Sequence, residues 1–246
     1  MRRLLWILPL LGLTSSLLAA ELRVAVAANF YQAAQAVAGQ FETKTGHRVV
    51  LIPGSTGKHY AQIINGAPFD VFLAADAERP LLLEQKGFSV PGTRHVYAHG
   101  RIVLWSRDPG RIDSHGGVLK TGGYRHLAIA DPKLAPYGRA AQQALKALGV
   151  WQENETHIVY GKNINQVYQF ASSGNAELGV IAASQIAGNT TTGSLWVISS
   201  ELYEPIEQQL ILLRDTSAGS AFIRHMLSPQ TQLMIIEFGY NGAKAK

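Results

Sequence analysis

The sequence predicts a two-lobe α/β protein, in which each lobe is a mainly parallel sheet flanked by helices and strand crossovers join the lobes. Short β-branched runs alternate with helical patterns, which is typical of parallel sheets covered by helices. The alternation restarts after about a hundred residues, a normal domain size, and no low-complexity linker separates the halves. The joins near residues 97–101 and 204–208 indicate extended strands. We therefore expect residues 21–100 with 207–246 to form lobe 1, and residues 101–206 to form lobe 2.

Residues 1–20 have the pattern of a secretory signal peptide. Arg2 and Arg3 form a short basic region, residues 4–13 are apolar, and small residues follow. We expect cleavage near Ala20, which would release the mature protein into the periplasm. The apolar run is short for a membrane span, and an uncleaved N-terminal anchor is the alternative. No cysteine follows the run, so we expect free diffusion rather than a lipid anchor.

The composition of the mature chain argues against several classes of protein. Without the two signal arginines, 20 basic residues face 17 acidic ones, a net charge of +3, and the basic residues are scattered along the chain. Nucleic-acid binding therefore has little support. The chain has no cysteine. An exported protein without disulfides needs a sizeable core, and the 226 residues after Ala20 can supply one.

The first half of the mature chain supplies three strand–helix units. The first helix follows Asn29, the candidate N-cap, and its apolar spacing ends at Gly46. The second helix follows a turn of small residues, Pro-Gly-Ser-Thr-Gly-Lys at positions 53–58. Backbone N–H groups at such a helix start have no partner within the helix, so they could bind an anion. The predicted strands lie at residues 22–28, 48–52 and 71–75, and the third helix lies at residues 79–86.

The second half repeats this alternation before the chain returns to lobe 1. Two turns again lead into helices, Pro-Tyr-Gly at residues 136–138 and Asn-Ile-Asn at residues 163–165. The helices after them are predicted at residues 139–148 and 166–173. The remaining predicted elements are strands at residues 101–105, 126–130, 157–160, 178–182, 195–198 and 210–213, a helix at residues 218–227 and a last helix that ends at Gly239.

Four of these strand-to-helix turns point to one ligand site. In open α/β sheets the ligand crevice lies beyond the carboxyl ends of the strands. Asn29 and Thr56 occupy such turns in lobe 1, and Tyr137 and Ile164 occupy them in lobe 2, where the backbone N–H is the useful group. Each helix terminus carries roughly half a positive charge, so four ends sum to about +2 at most, which suits a small dianion. The alternative is that all four turns are ordinary helix caps.

Motifs for catalysis are missing, so we expect a protein that is not an enzyme and has no cofactor. The turn at residues 53–58 lacks the spacing of a phosphate-binding loop because position 52 is Ile, and it is not a nucleophile elbow. The eight histidines show no metal-ligand spacing, although His59 lies one turn from the candidate site. An enzyme acting on phosphate or sulfate esters is the alternative, but it lacks a placed base, nucleophile or metal.

Six stretches of the chain form a recognisable set. They are residues 27–30 (AANF), 54–57 (GSTG) with 60–63 (YAQI), 66–76 (GAPFDVFLAAD), 135–138 (APYG), 176–180 (AELGV) and 203–206 (YEPI). Together they give the sequence a resemblance to the periplasmic molybdate-binding proteins of ABC transporters, and the similarity runs across essentially the whole mature chain. The resemblance implies a type II periplasmic-binding-protein fold. It also implies a tetrahedral oxyanion, molybdate and also tungstate, which hydroxyl and N–H donors hold between the lobes without a cationic side chain.

Carried over by position, the resemblance assigns oxyanion donors in both lobes. Asn29 and Thr56 would supply side-chain and backbone donors, and Tyr137 and Ile164 would supply backbone N–H groups. These residues would hold the ion through its oxygens, with no direct ligand to the metal. Ala28 and Asn163 are weaker candidates. Ala28 stands where some relatives carry a hydroxyl residue, so one possible contact is missing there. The chain also has Ala182 where other relatives carry a ligand-binding tyrosine.

The expected partners follow from the same resemblance. They are a small oxyanion and a membrane ABC transporter permease, with the binding protein itself a monomer. Molybdate and tungstate are too similar in size for the sequence to separate them. Sulfate, phosphate or another oxyanion is the alternative ligand.

Overall fold

The computed structural model describes residues 20–187 and 193–243, so the predicted signal peptide lies outside the described residues except for Ala20. Within this part of the chain, the strands are β1 (Glu21–Ala27), β2 (Arg48–Gly54), β3 (Val71–Leu73), β4 (His95–Gly100), β5 (Ile102–Ser106), β6 (Leu127–Ala130), β7 (Ile158–Gly161), β8 (Leu178–Ala182), β9 (Ser194–Val197), β10 (Ile206–Leu212) and β11 (Asn241–Gly242).

The α-helices of the described residues alternate with these strands. They are α1 (Tyr31–Thr45), α2 (Thr56–Ile64), α3 (Glu78–Gln85), α4 (Val118–Thr121), α5 (Pro136–Ala147), α6 (Trp151–Asn154), α7 (Ile164–Ser173), α8 (Ser217–Met226) and α9 (Pro229–Glu237). Among the described residues, no helix combines the length and the apolar character that crossing a membrane requires.

The strands form two separate sheets. One has six strands in the order β11-β4-β10-β3-β1-β2, and the other has five in the order β7-β6-β8-β5-β9. We call the part built on the six-stranded sheet lobe 1 and the part built on the five-stranded sheet lobe 2. The two α/β units predicted from the sequence are therefore present. Their boundaries at residues 100/101 and 206/207 stay a prediction.

Each sheet is mixed, which refines the expectation of mainly parallel sheets. β1 pairs in parallel with β2 and β3, and β6 pairs in parallel with β7 and β8. β10 runs antiparallel to β3 and β4, and β5 runs antiparallel to β8 and β9. The physical reason is the crossover itself, because β5 and β10 enter their sheets from the other lobe rather than through a helix on the same face.

The crossings between the sheets lie side by side. β4 leads to β5 through the single residue Arg101, and β10 begins at Ile206. Gly100 of β4 is the register partner of Ile206 in β10. An extended strand was predicted at the join near residues 97–101, and β4 (His95–Gly100) lies there. The strand β11, which has only two residues, was missed by the sequence patterns.

The helix α1 shows why most of the predicted elements form. Its apolar spacing buries Ala34, Val37 and Phe41 against the six-stranded sheet. The helix ends at Gly46, which has φ 73° and donates its N–H to Glu42 O. The predicted start was wrong. Asn29 is not an N-cap but the middle of a 3₁₀ turn, Ala28–Phe30, and Phe30 precedes α1 without a side-chain cap. The turn releases the Asn29 side chain for other contacts.

Each lobe has its own core. Lobe 2 packs α5 and α7 against the five-stranded sheet, with Leu104, Ile129 and Val180 among its fully buried side chains. Lobe 1 packs α1 and α8 against its sheet, with Phe30 and Phe222 at the centre. Ala27, Ala28 and Ala75 of lobe 1 are packed into the lobe 2 core cluster. The ends of β1 and β3 therefore touch the opposite lobe, and the candidate site lies at this contact.

Candidate functional site

A small cavity lies between the lobes at the carboxyl ends of β1, β2 and β3, opposite the N-termini of α5 and α7. Its volume is about 10 Å³, roughly the space that one water molecule needs, so the two walls lie close together here. All six residues proposed from the sequence line it. The lining residues are Ala27, Ala28, Asn29, Gly54, Ser55, Thr56, Ala75, Ala135, Pro136, Tyr137, Asn163 and Ile164.

The lobe 1 wall is the start of α2. Ser55 is the N-cap, and its Oγ accepts the Lys58 N–H at 3.4 Å. This cap occupies the third N–H of the helix. The first N–H, at Thr56, has no acceptor within the helix. The Thr56 Oγ1 accepts the Ala75 N–H at 3.0 Å, so its own hydrogen can be donated to a ligand. Thr56 thus offers two donors from one buried position.

The lobe 2 wall is formed by the starts of α5 and α7. Pro136 occupies the first turn of α5, where its missing N–H is not needed, and Tyr137 follows with a free helix-start N–H. Asn163 is the N-cap of α7, and its Oδ1 accepts the Gln166 N–H at 3.1 Å. This cap leaves the Ile164 N–H, the first of the helix, available to the cavity. Three helix N-termini, those of α2, α5 and α7, therefore meet at the cavity.

The Asn29 side chain has a different environment from the other candidates. Its Nδ2 donates to Gln208 Oε1 at 2.7 Å and also lies 3.2 Å from Tyr240 Oη and 3.3 Å from Tyr137 Oη. Tyr240 in turn donates to the Asn29 carbonyl at 2.7 Å. The amide hydrogens of Asn29 thus face protein acceptors. The first hydrogen bond of its 3₁₀ turn runs from Tyr31 N–H to Ala28 O, so the Asn29 backbone N–H is not used within the turn.

Tyr137 connects the cavity to the crossing between the lobes. Its backbone N–H lies at the cavity, whereas its phenol reaches the Asn29 amide in lobe 1. A Cβ on Gly100 would lie 2.1 Å from the Tyr137 oxygen, so only glycine lets the phenol pass the crossover strand. Burial raises the pKa of Tyr137 well above its ordinary value, and the phenol therefore stays a neutral hydrogen-bonding group.

The cavity lining is neutral. Among the described residues that line it, none is Lys, Arg or His, and none is Asp or Glu. His59 lies beneath the lobe 1 wall, with Nε2 3.3 Å from Val26 O and Nδ1 3.1 Å from Gln62 Oε1. Burial lowers the pKa of the His59 imidazole below its ordinary value, although the hydrogen bond to Gln62 opposes this. At neutral pH the groups that line the cavity therefore act on an ion through N–H dipoles rather than through full charges.

The structure places no metal cluster in this region. Residues 20–187 and 193–243 contain no group of three or more His, Cys, Asp or Glu side chains that could hold a metal ion. Asp70 and Asp76, which bracket β3, each pair with arginine, Asp70 with Arg214 and Asp76 with Arg79. The cavity itself can bind a compact anion through its helix-start N–H groups and the Thr56 hydroxyl.

Sequence reasoning missed several residues that shape the site. Ser55 could have been named as the cap of α2, because serine is favoured there. Gln185 follows β8 and braces the start of α7, since its Nε2 lies 3.3 Å from Ile164 O and 3.0 Å from Asn165 Oδ1. Gln208 and Tyr240 reach Asn29 from strands and loops about 180 and 210 positions away, and no local pattern signals such a contact. Ala182 does not line the cavity.

Comparisons with known proteins agree on one family. Residues 22–241 match the family described as bacterial extracellular solute-binding protein. The chain is 47% identical over 227 residues, 90% of each chain, to the molybdate-binding protein ModA of Azotobacter vinelandii. It is 44% identical over 233 residues, 94% of this chain and 92% of the other, to ModA of Rhodobacter capsulatus. The solved Azotobacter vinelandii periplasmic molybdate-binding protein superposes with a TM-score of 0.86 at 41% identity, covering 89% of this chain and 98% of that one.

Proposed function

The chain belongs to the bacterial extracellular solute-binding proteins, and from this membership and the cavity we propose that it captures molybdate, and also tungstate, between its lobes. The observation that carries the proposal is the meeting of three helix N-termini, from both lobes, at one small neutral cavity. The relatives at 44–47% identity are named for molybdate binding, which supports this choice of ion. The donors proposed are Thr56, Tyr137, Ile164 and Asn29, with Ala28 and Asn163 contributing less.

Neutral donors suit a fully ionised oxyanion. Stripping a dianion of water costs tens of kcal/mol in an ideal low-dielectric medium, so several preorganised N–H and O–H groups must replace the water. A protonated oxyanion would present its own donor to these donors, leaving one hydrogen unmatched. A site of this kind therefore selects an ion that has no proton at working pH.

Selection among oxyanions without a proton depends on cavity size. Sulfate has the same shape and charge as molybdate but is smaller, so the distances between donors on opposite lobes decide the preference. Sulfate, phosphate or another oxyanion remains the alternative ligand, with phosphate disfavoured because it carries a proton near neutral pH. An enzyme acting on phosphate or sulfate esters is the less favoured alternative, since no general base that could activate a hydroxyl lines the described cavity.

The remaining parts of the proposal concern delivery. As a periplasmic monomer without a cofactor, released by cleavage near Ala20, the protein would carry the ion to a membrane ABC transporter permease. The solute-binding family and the names of the relatives support the periplasmic location. The monomeric state and the signal cleavage are testable by size-exclusion chromatography and by mass spectrometry of the exported protein.

A four-ion titration tests the proposed ligand. Purified protein is titrated with sodium molybdate, tungstate, sulfate and phosphate while tryptophan fluorescence and the melting temperature are followed. We expect saturable responses at micromolar or lower concentrations of molybdate and tungstate, and responses to sulfate and phosphate only at far higher concentrations. A response to phosphate or sulfate alone would assign the alternative ligand, and no response to any ion would reject oxyanion binding.

A further inference from the structure

A cluster of charged side chains crosses between the lobes beside the anion cavity. Arg139 of α5, in lobe 2, donates to Glu78 Oε2 at 2.7 Å and to Asp76 Oδ2 at 3.4 Å, both in lobe 1. Arg79 of lobe 1 pairs with Asp76 and donates to Lys133 O of lobe 2 at 3.3 Å. We call these four side chains, Asp76, Glu78, Arg79 and Arg139, the interlobe clamp.

The clamp is next to the cavity in both lobes. Asp76 follows Ala75, whose N–H bonds the Thr56 hydroxyl, and Arg139 lies two positions after Tyr137. A second cavity of about 210 Å³ borders the clamp and shares Ala75 and Pro136 with the anion cavity. A movement of one lobe away from the other at the clamp therefore also separates the lobe 1 donors from the lobe 2 donors.

The burial of Asp76 makes the clamp depend on Arg139. Asp76 is 7% exposed, and burial raises the pKa of its carboxyl although Arg79 and Arg139 oppose the rise. A buried charge that loses a partner is strongly unfavourable. Glu78 is more exposed, and its hydrogen bond with Arg139 lowers the pKa of Glu78. Without Arg139, the closed arrangement holds a buried carboxylate with only Arg79 to compensate it, and opening the lobes would return that carboxylate to water.

We propose that Arg139 is a positioning residue that holds the lobes closed over the oxyanion by bridging Asp76 and Glu78, and so sets the rate at which the ion escapes. The inference rests on the proposed function for the identity of the ion but not for the clamp itself. Arg139 does not line the anion cavity, so its effect on affinity passes through the lobe arrangement. Its planar guanidinium can bond two carboxylates at once, which a lysine ammonium does less well.

Stopped-flow fluorescence with sodium molybdate gives the kinetic test. We expect R139Q to raise the dissociation rate by about five- to tenfold, within the usual range for coupling between sites, with a smaller change in the association rate. R139K should recover part of the loss. The matched control is R125Q, because Arg125 pairs with Glu177 at 3.3 Å within lobe 2 and should leave both rates unchanged. A change confined to the association rate would mean that Arg139 only attracts the anion, and it would overturn the clamp.

A second measurement uses the protein without any ion, so it stands even if molybdate does not bind. The chain has no cysteine, and Gln85→Cys on α3 with Ala147→Cys on α5 places one dye on each lobe for single-molecule energy transfer. We expect R139Q to reduce the closed fraction several-fold, and R125Q to leave it unchanged. Equal closed fractions in wild type and R139Q would overturn the clamp, whereas failure of wild type to respond to molybdate would overturn only the proposed ligand.

Discussion

Thr56 places a hydroxyl and a backbone N–H at the same point of the cavity wall. The hydroxyl oxygen already accepts the Ala75 N–H, which leaves the hydroxyl hydrogen to be donated to another acceptor. A side chain held in this way has lost its rotational freedom before the ion arrives. Preorganisation of this kind reduces the entropy cost of binding, so a single hydroxyl can contribute more here than it would on a free surface.

We expect Thr56→Ala to weaken molybdate binding by roughly 1–3 kcal/mol, the range for a lost hydrogen bond to a charged group. Isothermal titration calorimetry measures the change. Thr56→Ser is the matched control, because it keeps both the acceptor for Ala75 and the donor for the ion, and should bind nearly as well as wild type. Equal affinities for the alanine variant and wild type would show that the site has been placed wrongly.

Tyr137 shows where residue-level prediction reaches its limit. Its backbone position in the first turn of a helix is visible in the Pro-Tyr-Gly sequence, because proline favours the first turn of a helix. Its phenol contact with Asn29, 108 positions earlier, has no such local signal. The sequence therefore indicates which N–H groups face the cavity, whereas the side-chain network behind them depends on how the two lobes meet.

The elements that carry the site were largely predictable. Strands β1, β2, β3, β6 and β8 are short apolar runs, and α2, α5 and α7 begin at the turns that their small residues and proline indicate. The error at Asn29 has a physical cause. An asparagine after a strand is a favoured N-cap, but here a 3₁₀ turn intervenes because the Asn29 amide is bonded to Gln208 instead. A tertiary contact thus overrides the local preference.

The N-terminus of α7 allows a prediction about one element. We expect Asn163→Ala to lower the free energy of unfolding by about 1 kcal/mol, the usual cost of a lost cap, and also to weaken molybdate binding, because the cap fixes the Ile164 N–H. Thr216→Ala is the matched control. Thr216 caps α8 through the Gly219 N–H at 3.1 Å, and α8 does not reach the cavity.

Urea unfolding and calorimetric titration of both variants separate the two effects. The two alanine variants should lose similar stability, while only Asn163→Ala should lose affinity. If Thr216→Ala weakens binding equally, the loss reflects general destabilisation and the helix start has no special role at the site.

At the scale of the whole molecule, a backbone hydrogen bond joins the two lobes. The Gly57 N–H of α2 donates to Leu134 O of lobe 2 at 2.9 Å, and a Cβ at Gly57 would lie 2.9 Å from that same oxygen. This contact exists only when the lobes are closed. A side chain at Gly57 would therefore act on closure and not on the fold of either lobe.

We expect Gly57→Ala to reduce the affinity for molybdate by roughly tenfold, corresponding to the lower end of overpacking costs. The melting temperature without ligand should change little. Gly39→Ala is the control, because a Cβ there meets nothing within 4 Å and should leave the affinity unchanged. Calorimetric titration checks both variants, and an unaltered affinity in Gly57→Ala would mean that the lobes hold the ion without this approach.

The two lobes were predictable from the repeated alternation of strands and helices, whereas the residue bounds given for each lobe stay a prediction. The mixed order of each sheet was not predictable. A run such as residues 210–213 indicates a strand, but its direction relative to β3 depends on the path by which the chain returns from lobe 2. Periodicity in a single sequence carries no information about that path.

The pairing of Gly100 with Ile206 has a mechanical consequence. Two covalent links that run side by side resist sliding and swivelling of one lobe on the other, and they leave rotation about one axis as the soft motion. Each closure then brings the helix N-termini back to the same relative positions. A site divided between the two lobes can then be assembled by one rotation.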